Sequence, residues 1–361
     1  MATVPAVRRH RVVALWLLTV LVPALLAITG CGVANGSRRG QVVPEPTTTA
    51  GPDAFERAGR GLPIRLTLPP PSTPKPYPLI VALHSLYYDG TDPKANWDLD
   101  GLARTEGLAV VYPDGIGKSW NAGTCCGAAE AGHVDDVGYL RSLIAHVSEN
   151  YPIDRNRVSL VGLSNGGMLA YRYACEHGDE LAGIAVVAGS REVAQCQPAA
   201  PVTLVVVHGG ADGHVPYGGT PWSPVLNTAI TPVEESMATF RAVDRCPVPS
   251  QPADFVPTDR YGMPWHAATP TPVPDGVPAA PAGPVTYPLT TTQLTDPPAD
   301  TAPVAVRAET QCASSARVVQ FLLPWMAHGW PPATGTYSFA TSGVIWNLLA
   351  TARSARPGPR L

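Results

Sequence analysis

Charge is scarce in this sequence. Asp, Glu, Lys and Arg make up 15% of its 361 residues, against about 25% in an average soluble domain. There is no basic surplus: 25 Lys and Arg face 28 Asp and Glu, a net charge of -3. That balance lacks the positive footprint with which proteins grip nucleic acid. No Cys-x-x-Cys occurs, and no Cys and His stand at zinc-binding spacing, which argues against a structural zinc site. No repeat of fixed period runs along the chain. The apolar run at residues 12–28 is only 17 residues long and is interrupted by Thr19 and Pro23, so it is marginal for crossing a bilayer. Proline, by contrast, is abundant: 41 residues, or about 11% against an average of about 5%. Pro removes a backbone donor, so this excess belongs in loops and linkers. An apolar content of 45% excludes disorder across the whole chain. The length allows one large domain or two small ones at ~150 residues each.

The N-terminus reads as a targeting signal. Arg8, Arg9 and Arg11 precede the apolar run, which ends in Ile28-Thr29-Gly30-Cys31. That ending resembles the lipobox of bacterial lipoproteins. The resemblance implies a signal peptide over residues 1–30, lipidation at Cys31 and a membrane as partner through the lipid. The protein is then expected to work outside the cytoplasm, either lipid-anchored or secreted. Loss of residues 1–30 removes three Arg and no acid, taking the net charge from -3 to -6. Residues 31–58, rich in Gly, Ser, Thr and Pro, read as a flexible tether. Six further cysteines remain: Cys125, Cys126, Cys175, Cys196, Cys246 and Cys312. In an oxidising compartment an even count suggests three bridges, with 15 connectivities open.

From there the pattern alternates. Short apolar runs at 63–68, 79–83, 108–112, 158–163, 184–187, 203–207 and 318–323 predict strands. Apolar residues three or four apart predict helices at 134–147, 168–174, 233–243 and 344–350. Continuous apolar strands mark a parallel sheet buried on both faces, and the alternation implies an α/β fold with helices on both faces. The catalytic domain is expected over 59–352, with a loose tail at 353–361. One stretch breaks the pattern: residues 247–311 hold fifteen prolines and almost no periodicity. Structureless loops this long are functional or disordered, so this one reads as a Pro-rich insertion before the last strand, serving as a lid.

Gly162-Leu163-Ser164-Asn165-Gly166 matches Gly-x-Ser-x-Gly, a motif that is weak alone and stronger between a strand and a helix. A serine needs a base, and the base needs an orienting carboxylate. Asp212 follows the strand at 203–207 and His328 follows the strand at 318–323, giving the chain order Ser, Asp, His of the α/β-hydrolase fold. The rival His214 is too close to Asp212 in sequence, and His266 lies in the insertion. Two backbone N–H groups would complete an oxyanion hole, at Asn165 and in the His84-Ser85-Leu86 loop, at Leu86. Asp135 and Asp136 form an acidic pair, but at a helix start, where the macrodipole favours carboxylates. Trp120, Asn121 and Trp330 are candidates both for the substrate cleft and for core packing.

The segment at 79–84, Trp120-Asn121-Ala122-Gly123 with Cys125-Cys126-Gly127, Val134-Asp135-Asp136-Val137, the motif at 162–167, and the stretches at 208–216 and 328–331 occur in one order. Together they resemble the extracellular polyhydroxybutyrate depolymerase and feruloyl esterase family, including its bacterial lipoprotein members. The resemblance runs from about residue 63 to 350, interrupted by the insertion. It implies Ser164, Asp212 and His328 as a triad acting on an ester substrate, with no metal or organic cofactor, in a monomer. It also implies a Cys246–Cys312 bridge closing the neck of the insertion. Two departures stand out: Ser85 replaces the family's usual Gly after the first His, and the insertion is long. A peptidase with the same triad and a non-catalytic binding lipoprotein are the rival readings.

Overall fold

Ten strands form one sheet in a computed structural model of the chain, which describes residues 54–55, 60–264, 304–334 and 338–360. The expected signal peptide, Cys31, nearly all of the tether, His266 and most of the Pro-rich segment lie outside the described residues. In chain order the first elements are β1 (Ala54–Phe55), β2 (Leu62–Thr67), β3 (Tyr77–Leu83), α1 (Thr91–Asn96), α2 (Leu99–Glu106) and β4 (Ala109–Pro113). Then come α3 (Gly127–Ala131), α4 (Asp136–Asn150), β5 (Ile153–Leu163), α5 (Asn165–His177), β6 (Gly183–Val187) and β7 (Thr203–Gly209). The chain continues through β8 (Thr220–Ser223), β9 (Thr228–Ile230), α6 (Val233–Asp244), β10 (Phe255–Thr258), β11 (Ala305–Glu309), β12 (Val318–Leu323) and α7 (Thr341–Leu349).

The sheet order is β1-β2-β4-β3-β5-β6-β7-β12-β11-β10. Strands β4, β3, β5, β6, β7 and β12 are parallel, and the antiparallel pairs flank them. Every residue of β3, β6 and β7 is buried, as apolar strands covered on both faces must be. Helices α4, α5 and α6 cover one face, contributing Leu140, Leu143, Met168, Tyr171, Met237 and Phe240. Helices α2 and α7 cover the other with Leu99, Ala103, Val344, Ile345 and Leu348. This is the expected α/β architecture. In α4 the apolar residues at 137, 140, 144 and 147 all face the core. Asp135 caps that helix, its Oδ1 accepting from the Gly138 N–H at 2.8 Å, which gives it the structural role.

Two expectations are corrected. The segment 247–311 is not wholly structureless: β10 and β11 lie inside it and extend the sheet antiparallel, with Val256 opposite Arg307 and Val306 opposite Leu322. Prolines hide these strands in the sequence, yet an edge strand tolerates them, and β10 itself contains Pro257. The C-terminal tail is not loose. The amides of Ser354, Arg356 and Gly358 donate to the carbonyls of Asn156, Asp179 and Arg155, and the Arg356 guanidinium pairs with Asp179 and Glu180. The bridges join Cys125 to Cys126, Cys175 to Cys196 and Cys246 to Cys312. The third closes the neck between α6 and β12, as the resemblance implied.

Asp244 ends α6 with no exposed surface. Its Oδ1 accepts from the Val202 N–H at 3.2 Å, and its Oδ2 has no partner among the described residues. Burial therefore pushes this carboxyl up to about 7, against the smaller effect of the Val202 bond. A carboxyl raised in the folded state costs stability as pH climbs, because the unfolded chain ionises first. The cost starts near the ordinary aspartate value and is complete above about pH 7. Asp244→Asn removes the charge at similar shape. The variant should gain roughly 2–4 kcal/mol over the parent at pH 8 and almost nothing at pH 4, at about 1.4 kcal/mol per pKa unit. Urea unfolding at both pH values checks this; an equal gain at the two would contradict it.

Candidate active site

Ser164 sits where β5 turns into α5, with φ +53° and ψ -121°. A non-Gly residue in that region is strained and persists only where its surroundings hold it. The Ser164 N–H donates to the Val187 carbonyl at 2.8 Å, and its carbonyl accepts from the Met168 N–H at 2.8 Å. The motif's glycines make the turn possible. A Cβ on Gly162 would stand 2.3 Å from the Gly166 carbonyl carbon, and one on Gly166 would stand 2.2 Å from the Leu83 carbonyl oxygen. Only hydrogen fits there.

Asp212 and His328 leave the same edge of the sheet. Asp212 follows β7 and His328 follows β12, its parallel neighbour. The loop after β12 folds back over β7: the Gly210 and Ala211 amides donate to the carbonyls of Leu323 and Met326. The two side chains meet, His328 Nδ1 lying 2.8 Å from Asp212 Oδ2. A carboxylate only accepts, so Nδ1 carries a proton, and in the neutral ring that tautomer leaves the lone pair on Nε2. Asp212 Oδ1 accepts from the amides of His214 and Val215, each at 2.9 Å. Burial pushes the Asp212 carboxyl up, but the bonds it accepts from His328 and from the Val215 amide work against this, and the group is held below its ordinary value. Asp212 is a buried anion with every oxygen occupied. The exposed His214 ring packs 4.7 Å from that of His328, a neighbour that sequence distance had set aside.

Behind the serine lies a network that no motif announced. The Asn165 side chain grips the Trp120 backbone from both sides, Oδ1 accepting from its N–H at 2.7 Å and Nδ2 donating to its carbonyl at 2.8 Å. Trp120 Nε1 donates to the His84 carbonyl at 3.0 Å. His84 Nε2 accepts from the Gly115 N–H at 2.9 Å, so its Nδ1–H is the donor to the Ser85 carbonyl at 2.8 Å. Burial holds the His84 imidazole below its ordinary value, against the Ser85 bond and the Asp114 charge. A neutral ring is what this pattern needs. The result fixes the 84–88 loop against the start of α5. The amides of Leu86 and Asn165 have no hydrogen-bond partner among the described residues, and the Leu86 side chain is buried in the core.

The three cleft candidates sort themselves by burial. Trp120 has no exposed surface and packs its ring 4.7 Å from His84, so it is a core residue rather than a cleft wall. Asn121 is spent on structure as well, donating from its side chain to the Val134 carbonyl and from its N–H to Asp136. Trp330 is half-buried and stacks at 4.0 Å on the buried Trp97, beside a cavity of about 420 Å³. Asp136 takes the Asn121 amide at 2.7 Å and the Arg60 guanidinium at 2.9 Å. Burial pushes its carboxyl up, against the Asn121 bond and the Arg60 charge, and both of its oxygens are spent on structure.

Comparison with known proteins finds no matching family model. Curated relatives do match. "Putative esterase NocK" of Nocardia uniformis subsp. tsuyamanensis is 29% identical over 208 residues, 56% of this chain and 60% of that protein. Feruloyl esterase D of Neurospora crassa is 28% identical over 214 residues, 55% of this chain and 67% of that one. Poly(3-hydroxyalkanoate) depolymerase C of Paucimonas lemoignei is 29% identical over 127 residues, 33% of this chain and 30% of that one. The chain thus spans between about a third and two thirds of these relatives' lengths. The resemblance to esterases and depolymerases seen in the motifs holds across these matches. Among solved structures, acetyl xylan esterase from Aspergillus awamori superposes with a TM-score of 0.45 at 12% identity, covering 74% of this chain and 89% of that one. That overlap is too loose to add to the sheet order.

Asn165→Leu keeps the backbone N–H at this position and removes only the grip on Trp120. The Trp120 N–H, buried and left unpaired, should cost roughly 1–3 kcal/mol of stability in urea unfolding. A loss under about 1 kcal/mol would mean that the network does not hold the loop.

Proposed function

We propose that this chain is a serine esterase that hydrolyses carboxylic esters through an acyl-enzyme. The observation that carries the reading is the 2.8 Å bond from His328 Nδ1 to Asp212, made at the sheet edge to which the strained Ser164 turn also belongs. In this scheme Ser164 Oγ attacks the ester carbonyl carbon while His328 Nε2 takes its proton. Asp212 holds the imidazole in the tautomer that leaves Nε2 free and stabilises the imidazolium that forms. The oxyanion develops toward the amides of Leu86 and Asn165. Collapse returns the proton from His328 to the departing alkoxide and leaves an acyl group on Ser164. Water, deprotonated by the same imidazole, then attacks the acyl carbon and frees the acid and the serine.

The relatives' names support, as the substrate class, hydroxycinnamate esters such as feruloyl esters, or polyhydroxyalkanoate-type esters. The N-terminal sequence and the bridges support a site of action outside the cytoplasm. We take residues 1–30 as a lipoprotein signal, Cys31 as the lipidated residue and 31–58 as the tether of an extracytoplasmic catalytic domain over 59–352. Three disulfides support an oxidising compartment.

Ser164→Ala should lower kcat for 4-nitrophenyl acetate by about 10⁴-fold or more with an unchanged urea midpoint, since the exchange removes a single oxygen atom. Residual activity within roughly tenfold of the parent would overturn the assignment, because loss of a triad member costs far more.

A further inference from the structure

The loop that carries the Leu86 amide ends in two tyrosines that the catalytic scheme does not use. The Tyr88 N–H donates to the Ser85 carbonyl at 3.2 Å, closing a four-residue turn with Tyr87 in its third position. Tyr87 has φ +70°. Turns that need positive φ at that position take Gly or Asn, and a bulky residue there is strained. The turn is nonetheless firmly held: the Leu86 side chain is buried and the Tyr87 N–H donates to the Lys118 carbonyl at 2.8 Å. The Tyr87 ring gains nothing visible in return. It is 70% exposed, Tyr88 is 53% exposed, and the Tyr87 hydroxyl has no hydrogen-bond partner among the described residues.

Position supplies the missing reason. The strand end leading into this turn lies directly on the nucleophile's helix, since a Cβ on Gly166 would stand 2.2 Å from the Leu83 oxygen and 2.6 Å from the His84 oxygen. Strain kept beside a reactive serine, with two exposed aromatic rings as its product, points to a surface used by substrate. We infer that Tyr87, with Tyr88, is a specificity-determining platform at the mouth of the site, favouring esters that lay a flat apolar acyl group against it. This rests on the reading of Ser164 as an ester-hydrolysing nucleophile.

The test is Tyr87→Gly, because glycine suits φ +70° and keeps the turn while removing the ring. Steady-state kinetics are read on methyl 4-hydroxycinnamate and 4-nitrophenyl acetate. The ratio of the two kcat/KM values should fall roughly threefold to tenfold, through KM of the aromatic ester. Tyr261→Ala is the control. Tyr261 is 62% exposed and follows β10, six strand positions from β3, or roughly 29 Å at ~4.8 Å per strand; the ratio should not move. An unchanged ratio in Tyr87→Gly, an equal change in Tyr261→Ala, or a parallel loss of kcat on both esters would each overturn the platform. Binding without turnover separates this inference from the catalytic one. In the Ser164→Ala protein, 4-hydroxycinnamate should bind roughly threefold to tenfold more weakly once Tyr87→Gly is added. If the parent hydrolyses neither ester but shows that weakening, the platform stands and the esterase reading falls. If it hydrolyses both and binding ignores Tyr87, the platform alone falls.

Discussion

Everything at this sheet edge depends on how closely α5 approaches the carbonyl ends of β3 and β5. Gly162 and Gly166 allow that approach because no Cβ stands between the backbones. From it follow the strained turn at Ser164, the side chain of Asn165 within reach of Trp120, and the 84–88 loop lying against the start of α5. A methyl group at Gly166 would push the loop and the helix apart. The amides of Leu86 and Asn165, the oxyanion donors of the proposed scheme, would separate with them, and oriented donors lose their worth when displaced.

Electrostatics around the site divide into neutral and charged parts. His84 and His208 are buried imidazoles held below their ordinary value first by desolvation, and both donate from Nδ1 to an adjacent carbonyl. They serve as shaped neutral donors. Asp212 is the buried anion, and its cost of burial is offset by His328 and two backbone amides. A buried carboxylate so fully bonded fixes an imidazole in one tautomer and one direction. Asp136 and Asp244 show the two alternatives for a buried acid, the first paired with Arg60 and the second left half-bonded.

The central sheet was legible because its parallel strands are covered on both faces and therefore read as unbroken apolar runs, as at 79–83 and 203–207. The edges were not. Strands β10 and β11 lie among prolines that an edge tolerates, and α1 has only six residues, too few for a period to show. At the site, the identities of Ser164, Asp212 and His328 came from motif and chain order, because the hydrolase fold fixes which strand ends carry them. The grip of the Asn165 side chain on Trp120 could not be read that way. Its partner lies 45 residues away, and no local pattern links the two. Likewise, the sequence left Trp120 balanced between cleft and core, and only its burial decided the matter. The strain at Tyr87 belongs to the same class, since φ is a property of the closed turn and not of the letters.

In the proposed reaction one serine, activated through one imidazole, does the chemistry. The direct measurement is to react the protein with a fluorophosphonate, digest it and locate the adduct by mass spectrometry, in the parent and in His328→Ala. A single adduct on Ser164 is expected in the parent, formed at least about 10³-fold more slowly when the imidazole is gone. An adduct on any other residue, or one on Ser164 formed at the same rate without His328, would contradict it.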